Sequence, residues 1–331
     1  MGVTVDIFNP QTSVLAAGLE GKTILIYGGN NVGKSYVAAR LPKPYFLACE
    51  SGLNAQSGVK YNKISNWADF RKVVRQFTST ATVDKARELY NTIVIDEVYA
   101  SSIMCQEYVL NTYGNGALTL ADGDSKHNLY QVYEKEYFKM INLLLSCDYT
   151  VVFIGHAQEN TKTGYISPKG DKRCINPIVD NCDFVFYVNS NGVNEKGEVI
   201  KSSAYCYQNE KFFARSRFEY CTPVIKEFSA ENLIEAIKDA VIKQAEHDGV
   251  EVSSYEEQKA KNTTEVEDFD TVMKQVQELG AKFIEAGKQE KLTEIIEEVL
   301  GPNGKVSDCT KKQLAAVTII RDELEQAATS L

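Results

Sequence analysis

Residues 25–41 read LIYGGNNVGKSYVAARL, and the fold turns on that stretch. It completes a short, continuous apolar run, TILIYG at 23–28, that stops at glycine. Runs of this kind suit a strand buried on both faces, as in a parallel sheet. Gly28, Gly29, Asn30, Asn31, Val32, Gly33, Lys34 and Ser35 then satisfy G-x-x-x-x-G-K-S, placed where that motif has to lie, after a strand and at the opening of a helix. Glycines let the backbone wrap a polyphosphate, and the exposed N–H groups at the helix start point at it. Lys34 is expected to neutralise the β- and γ-phosphates of ATP and Ser35 to hold Mg2+ through its hydroxyl. Tyr36 adjoins the loop and counts with the nucleotide contacts.

Four further apolar runs follow: PYFLAC at 44–49, NTIVID at 91–96, YTVVFIG at 149–155 and DFVFYV at 183–188. Helical patterns separate most of them, notably NWADFRKVVRQF and NLYQVYEKEYFKMINLLLS. Strand and helix in alternation predict an α/β fold, a mostly parallel sheet flanked by helices. After residue 188 the chain is turn-rich, and SAYCYQ alternates, so antiparallel strands are expected to finish that edge. Ser229 can cap a helix through SAENLIEAIKDAVIKQ, which closes a core over residues 22–245 after an N-terminal segment 1–21. Residues 246–268 are polar and read as a linker. Residues 269–331 hold three helical patterns, the last led by Thr310 and Gln313 at capping-box spacing.

Composition narrows the function classes. The chain has 331 residues, 44% hydrophobic and 24% charged, with no apolar run of the ~18 residues a membrane span needs and no secretion-leader pattern at its start. No membrane partner and a cytoplasmic setting are therefore expected. Eight cysteines occur without a CxxC pair, against a metal-ligand or disulfide framework. Residues 1–228 carry 24 Lys+Arg and 23 Asp+Glu, and residues 229–331 carry 12 and 22. The acidity belongs to the C-terminal third, and the rest can meet a polyanion.

Asp96 ends the run TIVID and reads as the strand-end carboxylate that reaches Mg2+. Glu97 reads equally as the base that activates water or as a helix-starting acid. Glu50, in YFLACESG, places a carboxylate after the second strand, beside the phosphate loop and within a general base's reach.

The pieces YGGNNVGKS, PKPYFLACESGL, SNWADF, NTIVIDEV, VVFIGHAQEN, NPIVDNCDFVFYV and FFARSRFEY stand in one order over roughly residues 22–228. That series resembles the RecA-like P-loop ATPases, in the shortened form of phage nucleotide-binding and single-strand-annealing recombination proteins. The resemblance implies a RecA-like core with Glu50 as the catalytic base and Glu97 second. It implies His156 as the polar sensor of the γ-phosphate, and Arg215 and Arg217 as the basic pair inserted into a neighbouring subunit's site. It also implies Mg2+ and ATP as cofactors, a homo-oligomer with nucleotide between subunits, and a bacterial host cytoplasm if phage-encoded.

Single-stranded DNA is the expected partner. Residues 158–177 read as a long loop carrying Lys162, Tyr165, Lys169, Lys172 and Arg173, cations for phosphates with a ring for bases. A second Gly/Asn/Asp-rich loop is expected at 111–128. Tyr130, Tyr133 and Tyr137 lie at helical spacing and read as a packed face. The acidic tail is expected either to compete with DNA or to dock a phage replication or recombination protein. The expected function is ATP-driven binding, annealing or pairing of single strands. The alternative is an ATPase acting on protein partners, such as a helicase loader or motor. A small-molecule kinase lacks the arginine-bearing lid it needs near the phosphate loop.

Overall fold

A computed structural model describes residues 7, 8, 10, 12–123, 128–262 and 267–328. Parts of the expected N-terminal segment, of the 111–128 loop, of the linker and of the C-terminus lie outside those residues. The chain divides into two compact units, one of Thr12–Lys259 and one that holds the C-terminal helices.

The first unit runs β1 (Thr23–Gly28), α1 (Lys34–Ala38), β2 (Pro44–Ala48), β3 (Lys60–Lys63), α2 (Trp67–Thr78), α3 (Val83–Leu89), β4 (Thr92–Asp96) and α4 (Val98–Tyr113). It continues α5 (Leu129–Leu145), β5 (Thr150–Glu159), β6 (Ile166–Pro168), α6 (Lys172–Asn181), β7 (Phe184–Asn189), β8 (Ser203–Tyr205), β9 (Arg215–Ser216), β10 (Val224–Ile225) and α7 (Ala230–Asp248). The strands form one sheet in the order β10-β8-β7-β1-β5-β4-β2-β3, with β6 on β5 and β9 on β7. Pairing is parallel from β7 to β3 and antiparallel at β8, β9 and β10. This is the α/β architecture that the apolar runs imply.

The reason lies in the runs themselves. Successive strand side chains point to opposite faces. Leu25 and Tyr27 therefore join a core with Trp67, Phe70, Tyr133 and Tyr137, while Ile24 and Ile26 join a second with Val37, Leu233 and Ile237. Each such buried side chain contributes roughly 1.5–3 kcal/mol, so a strand apolar on both faces is held by helices on both.

Two segments differ from the sequence expectation. Residues 158–177 are not a long loop. β5 continues through Glu159, pairs antiparallel with β6 in the register Ala157 to Pro168, and α6 follows, capped by Asp171, whose side chain accepts from the Arg173 N–H at 2.8 Å. Backbone groups that a loop would leave to water are paired here. Residues 246–268 are not wholly linker either. α8 (Tyr255–Asn262) forms within them, and its Tyr255 hydroxyl and Lys259 ammonium reach Asp148 at 3.0 and 2.8 Å.

The second unit packs α9 (Phe269–Glu285), α10 (Gln289–Leu300) and α11 (Leu314–Ala328) around Val272, Val276, Phe283, Ile295, Val317, Ile320 and Leu324. A capping box joins Thr310 and Gln313 ahead of α11. No helix among the described residues is long and apolar enough to cross a membrane. All eight cysteines are free thiols.

Candidate functional site

Four strand ends meet at one edge of the sheet. β5 stands between β1 and β4, which puts Gly28 opposite His156 and Asp96 opposite Ile154 on one side and Ala48 on the other. Glu50 follows two residues after β2 ends. Residues far apart in the chain are thus brought together by strand order alone.

The phosphate loop has the shape its glycines allow. A Cβ added to Gly28 would stand 2.2 Å from the Val188 carbonyl oxygen of β7, so no larger residue fits there. Gly33 has φ 91° and Asn31 φ 59°, the left-handed region that favours these residue types. Lys34 is buried, and its Nζ donates to the carbonyls of Gly28 (3.1 Å) and Gly29 (2.6 Å). Burial pushes its ammonium down, against Asp96, Glu50 and Glu97, which favour the charge.

Asp96 is buried, and neither carboxylate oxygen has a hydrogen-bond partner of ordinary geometry. Burial pushes its carboxyl up, opposed first by the approaching Ser35 hydroxyl. Orphaned buried carboxylate oxygens beside a hydroxyl make an all-oxygen donor set, the chemistry Mg2+ requires. The Mg2+ that such a fold implies fits these residues.

A cis peptide joins Asp96 to Glu97. Glu97 is the N-cap of α4, its Oε1 accepting from the Ala100 N–H at 2.8 Å. Its Oε2 is buried without a partner. Burial pushes this carboxyl up, and the Ala100 N–H and then His156 hold it back. Glu50 differs in being open to solvent, with 38% of its side chain exposed, and its Oε1 lies 3.5 Å from His156 Nε2. Of the two candidate bases, Glu50 can therefore meet a water, while one oxygen of Glu97 is committed to the helix cap.

Lys34, Ser35, Asp96, Glu97, Glu50 and His156 thus converge, and Tyr36 stands exposed beside them under the Arg40 guanidinium at 3.3 Å. Arg215 and Arg217 do not converge with them. Arg215 pairs with Val185 near the start of β7, whereas Gly28 sits opposite Val188 near its end. Both arginines bind within the chain: Arg215 to Asp180 at 3.9 Å, Arg217 to the Asp180 carbonyl at 2.5 Å and to Asp183 at 4.0 Å.

The residues expected to touch DNA are spread along hairpin and helix. Lys162 lies exposed in the β5–β6 turn. Lys169 stacks on Tyr99 at 4.3 Å, and Arg173 stacks on Tyr130 at 4.1 Å and pairs with Asp171 at 3.5 Å. Tyr133 and Tyr137 are buried in the core, and Tyr130 is the ring left to Arg173. Tyr165 and Lys172 line a cavity of about 790 Å³ together with Gln158, Asn176, Gln208 and Arg215.

One residue and one backbone contact at the site have little or no signal in the sequence. A Cβ on Gly52 would lie 3.7 Å from Glu50 Oε1 and 3.9 Å from Asp96 Oδ2, so this glycine lies close against both carboxylates; the Ser-Gly pair after Glu50 was its sole signal. The Lys169 N–H donates to the His156 carbonyl at 2.9 Å, tying hairpin to site, and nothing in the sequence signals it.

A family model described as AAA domain (AAA_24) matches residues 20–218. The chain is also similar to the SPbeta prophage-derived uncharacterized protein YorG of Bacillus subtilis (strain 168), 45% identical over 328 residues that cover 98% of each.

Proposed function

The chain belongs to the AAA domain family, with a P-loop ATPase core, and from that premise we propose that it hydrolyses ATP to ADP and phosphate with Mg2+. The observation that carries this reading is the 3.5 Å contact between Glu50 and His156, beside the phosphate-loop Lys34 and the strand-end Asp96. Lys34 swings from the loop carbonyls to the β- and γ-phosphates and balances their charge. Mg2+, held by Ser35 and Asp96, supplies charge neutralisation on the phosphates. Glu50 holds the attacking water and takes its proton, oriented by the His156 ring. Tyr36 offers its exposed face to the nucleotide.

The energy is spent on single-stranded DNA, in phage recombination or replication within the host cytoplasm. The prophage origin of the relative supports that setting. DNA runs over the hairpin and α6, where Lys162 and Lys172 are exposed, Tyr165 is half-buried in the cavity wall, and Lys169 and Arg173 hold rings beside them. Subunits assemble with nucleotide between them, and Arg215 or Arg217 leaves its own aspartates to complete a neighbour's site. The acidic C-terminal third docks a phage partner protein.

The test is ATP turnover with and without short single-stranded DNA. Lys34→Ala should abolish nucleotide binding. Glu50→Gln should keep binding and slow turnover on the order of 10²–10⁴-fold, the usual worth of a general base. Normal turnover in Glu50→Gln with loss in Glu97→Gln would reverse the assignment of the base. A second reading, action on a protein partner, is favoured by the engagement of Lys169 and Arg173 with the chain's own rings. Turnover indifferent to DNA at every salt concentration would select it.

A further inference from the structure

We propose that Glu50, Glu97 and His156 form a binding site for one first-row divalent cation of the Mn2+ type, separate from the Mg2+ that Ser35 and Asp96 suit. One carboxylate oxygen from each glutamate and one ring nitrogen of His156 lie within 4.8 Å of one another. A metal ion about 2.1 Å from each ligand holds them about 3.0–4.2 Å apart. The His156 Nε2 to Glu50 Oε1 distance of 3.5 Å already lies in that range.

A second observation points to a ligand there. Glu97 is 2% exposed, and its Oε2 has no hydrogen-bond partner. A buried carboxylate oxygen without a partner is costly, and a neighbouring carboxylate on Glu50 adds like-charge repulsion. Lys34, the cation that faces these acids, has its Nζ on the carbonyls of Gly28 and Gly29. A divalent ion between the two carboxylates removes both costs at once.

The donor set selects the ion. Mg2+ demands oxygen ligands in near-ideal octahedral geometry and dehydrates reluctantly. An imidazole with two carboxylates suits the first-row transition divalents instead, with Mn2+ toward the oxygen-preferring end. The ion takes a lone pair of Glu50, so occupation of this site and action of Glu50 as a base compete.

The test uses the full chain, freed of metal with EDTA, without nucleotide. Mn2+ is titrated in, bound ion is counted by electron paramagnetic resonance, and its ligands are read by electron spin-echo modulation. A coordinated imidazole imprints a ¹⁴N modulation that an all-oxygen site such as Ser35 with Asp96 lacks. The chain has three histidines, so the source can be assigned. The expected result is one Mn2+ with ¹⁴N modulation, retained in Lys34→Ala and Ser35→Ala. His156→Gln should remove the modulation and weaken binding at least tenfold, the lower limit seen even for outer-shell partners. Glu97→Gln removes a buried charge and is expected to fold. It too should weaken binding at least tenfold. Bound Mn2+ without ¹⁴N modulation, modulation unchanged in His156→Gln, or affinity unchanged in Glu97→Gln would overturn the proposal. The site is the one read above as hydrolytic, but its occupation needs no nucleotide. A chain that holds Mn2+ through His156 and turns over no ATP would sink that reading and leave this one standing.

Discussion

At the scale of single residues, the site is bought with stability. Burial holds the Asp96 carboxyl above the ordinary aspartate value of 3.8. The unfolded chain releases this proton first, so as pH rises past about 4 the folded state binds more protons and loses stability. The loss is complete once pH exceeds the folded value. Asp96→Asn does not titrate. In EDTA it should match the parent below pH 4 and exceed it at neutral pH by on the order of 1 kcal/mol, in urea titrations at the two pH values. A gap of opposite sign would show that Asp96 is better solvated than its burial implies. Gly28 works by space alone. With a Cβ 2.2 Å from the Val188 carbonyl, Gly28→Ala should cost about 1–3 kcal/mol by overpacking and weaken ATP binding through the shifted loop. Unchanged urea midpoints would mean that β1 and β7 part without penalty.

At the scale of elements, pairing decides what periodicity leaves open. β1, β2, β4, β5 and β7 were legible as apolar runs because helices cover both faces of the sheet. β3, KYNK, is exposed at the sheet edge and carries no apolar signature at all. α6 contains Pro177, which reads locally as a breaker because it lacks the N–H of its turn. The helix forms nonetheless, with Cys174, Ile175 and Ile178 buried. Glu97 was legible as either base or helix starter, and the cap to Ala100 shows that it starts α4. α8 is tied to the first unit through Asp148, at φ 57°, which binds Arg87 at 2.7 Å as well as Tyr255 and Lys259, and through Gln258, whose side chain donates to the Val14 carbonyl at 2.7 Å. Asp148→Ala should cost about 1.5–3 kcal/mol, the worth of hydrogen bonds to a charged group, and open Tyr255–Asn262 to proteolysis. Equal cleavage rates in the two chains would show that α8 is held by its other contacts.

At the scale of the molecule, two units each carry their own core. Each core can melt as its own cooperative unit, so calorimetry of the full chain should resolve two transitions. A chain ended at Lys259 should keep the one that Mg-ATP raises. A single transition in the full chain, lost on truncation, would show one cooperative body instead. By itself the sequence determined the phosphate loop, the doubly covered sheet, the strand-end acids and the three C-terminal helices, because motif and period are local properties of the chain. Only tertiary structure decided that β5 lies between β1 and β4, so that His156 meets Glu50, and that Arg215 and Arg217 lie toward the other end of β7. Strand order and register are set by which faces bury which partners across the whole chain, and no local stretch encodes them.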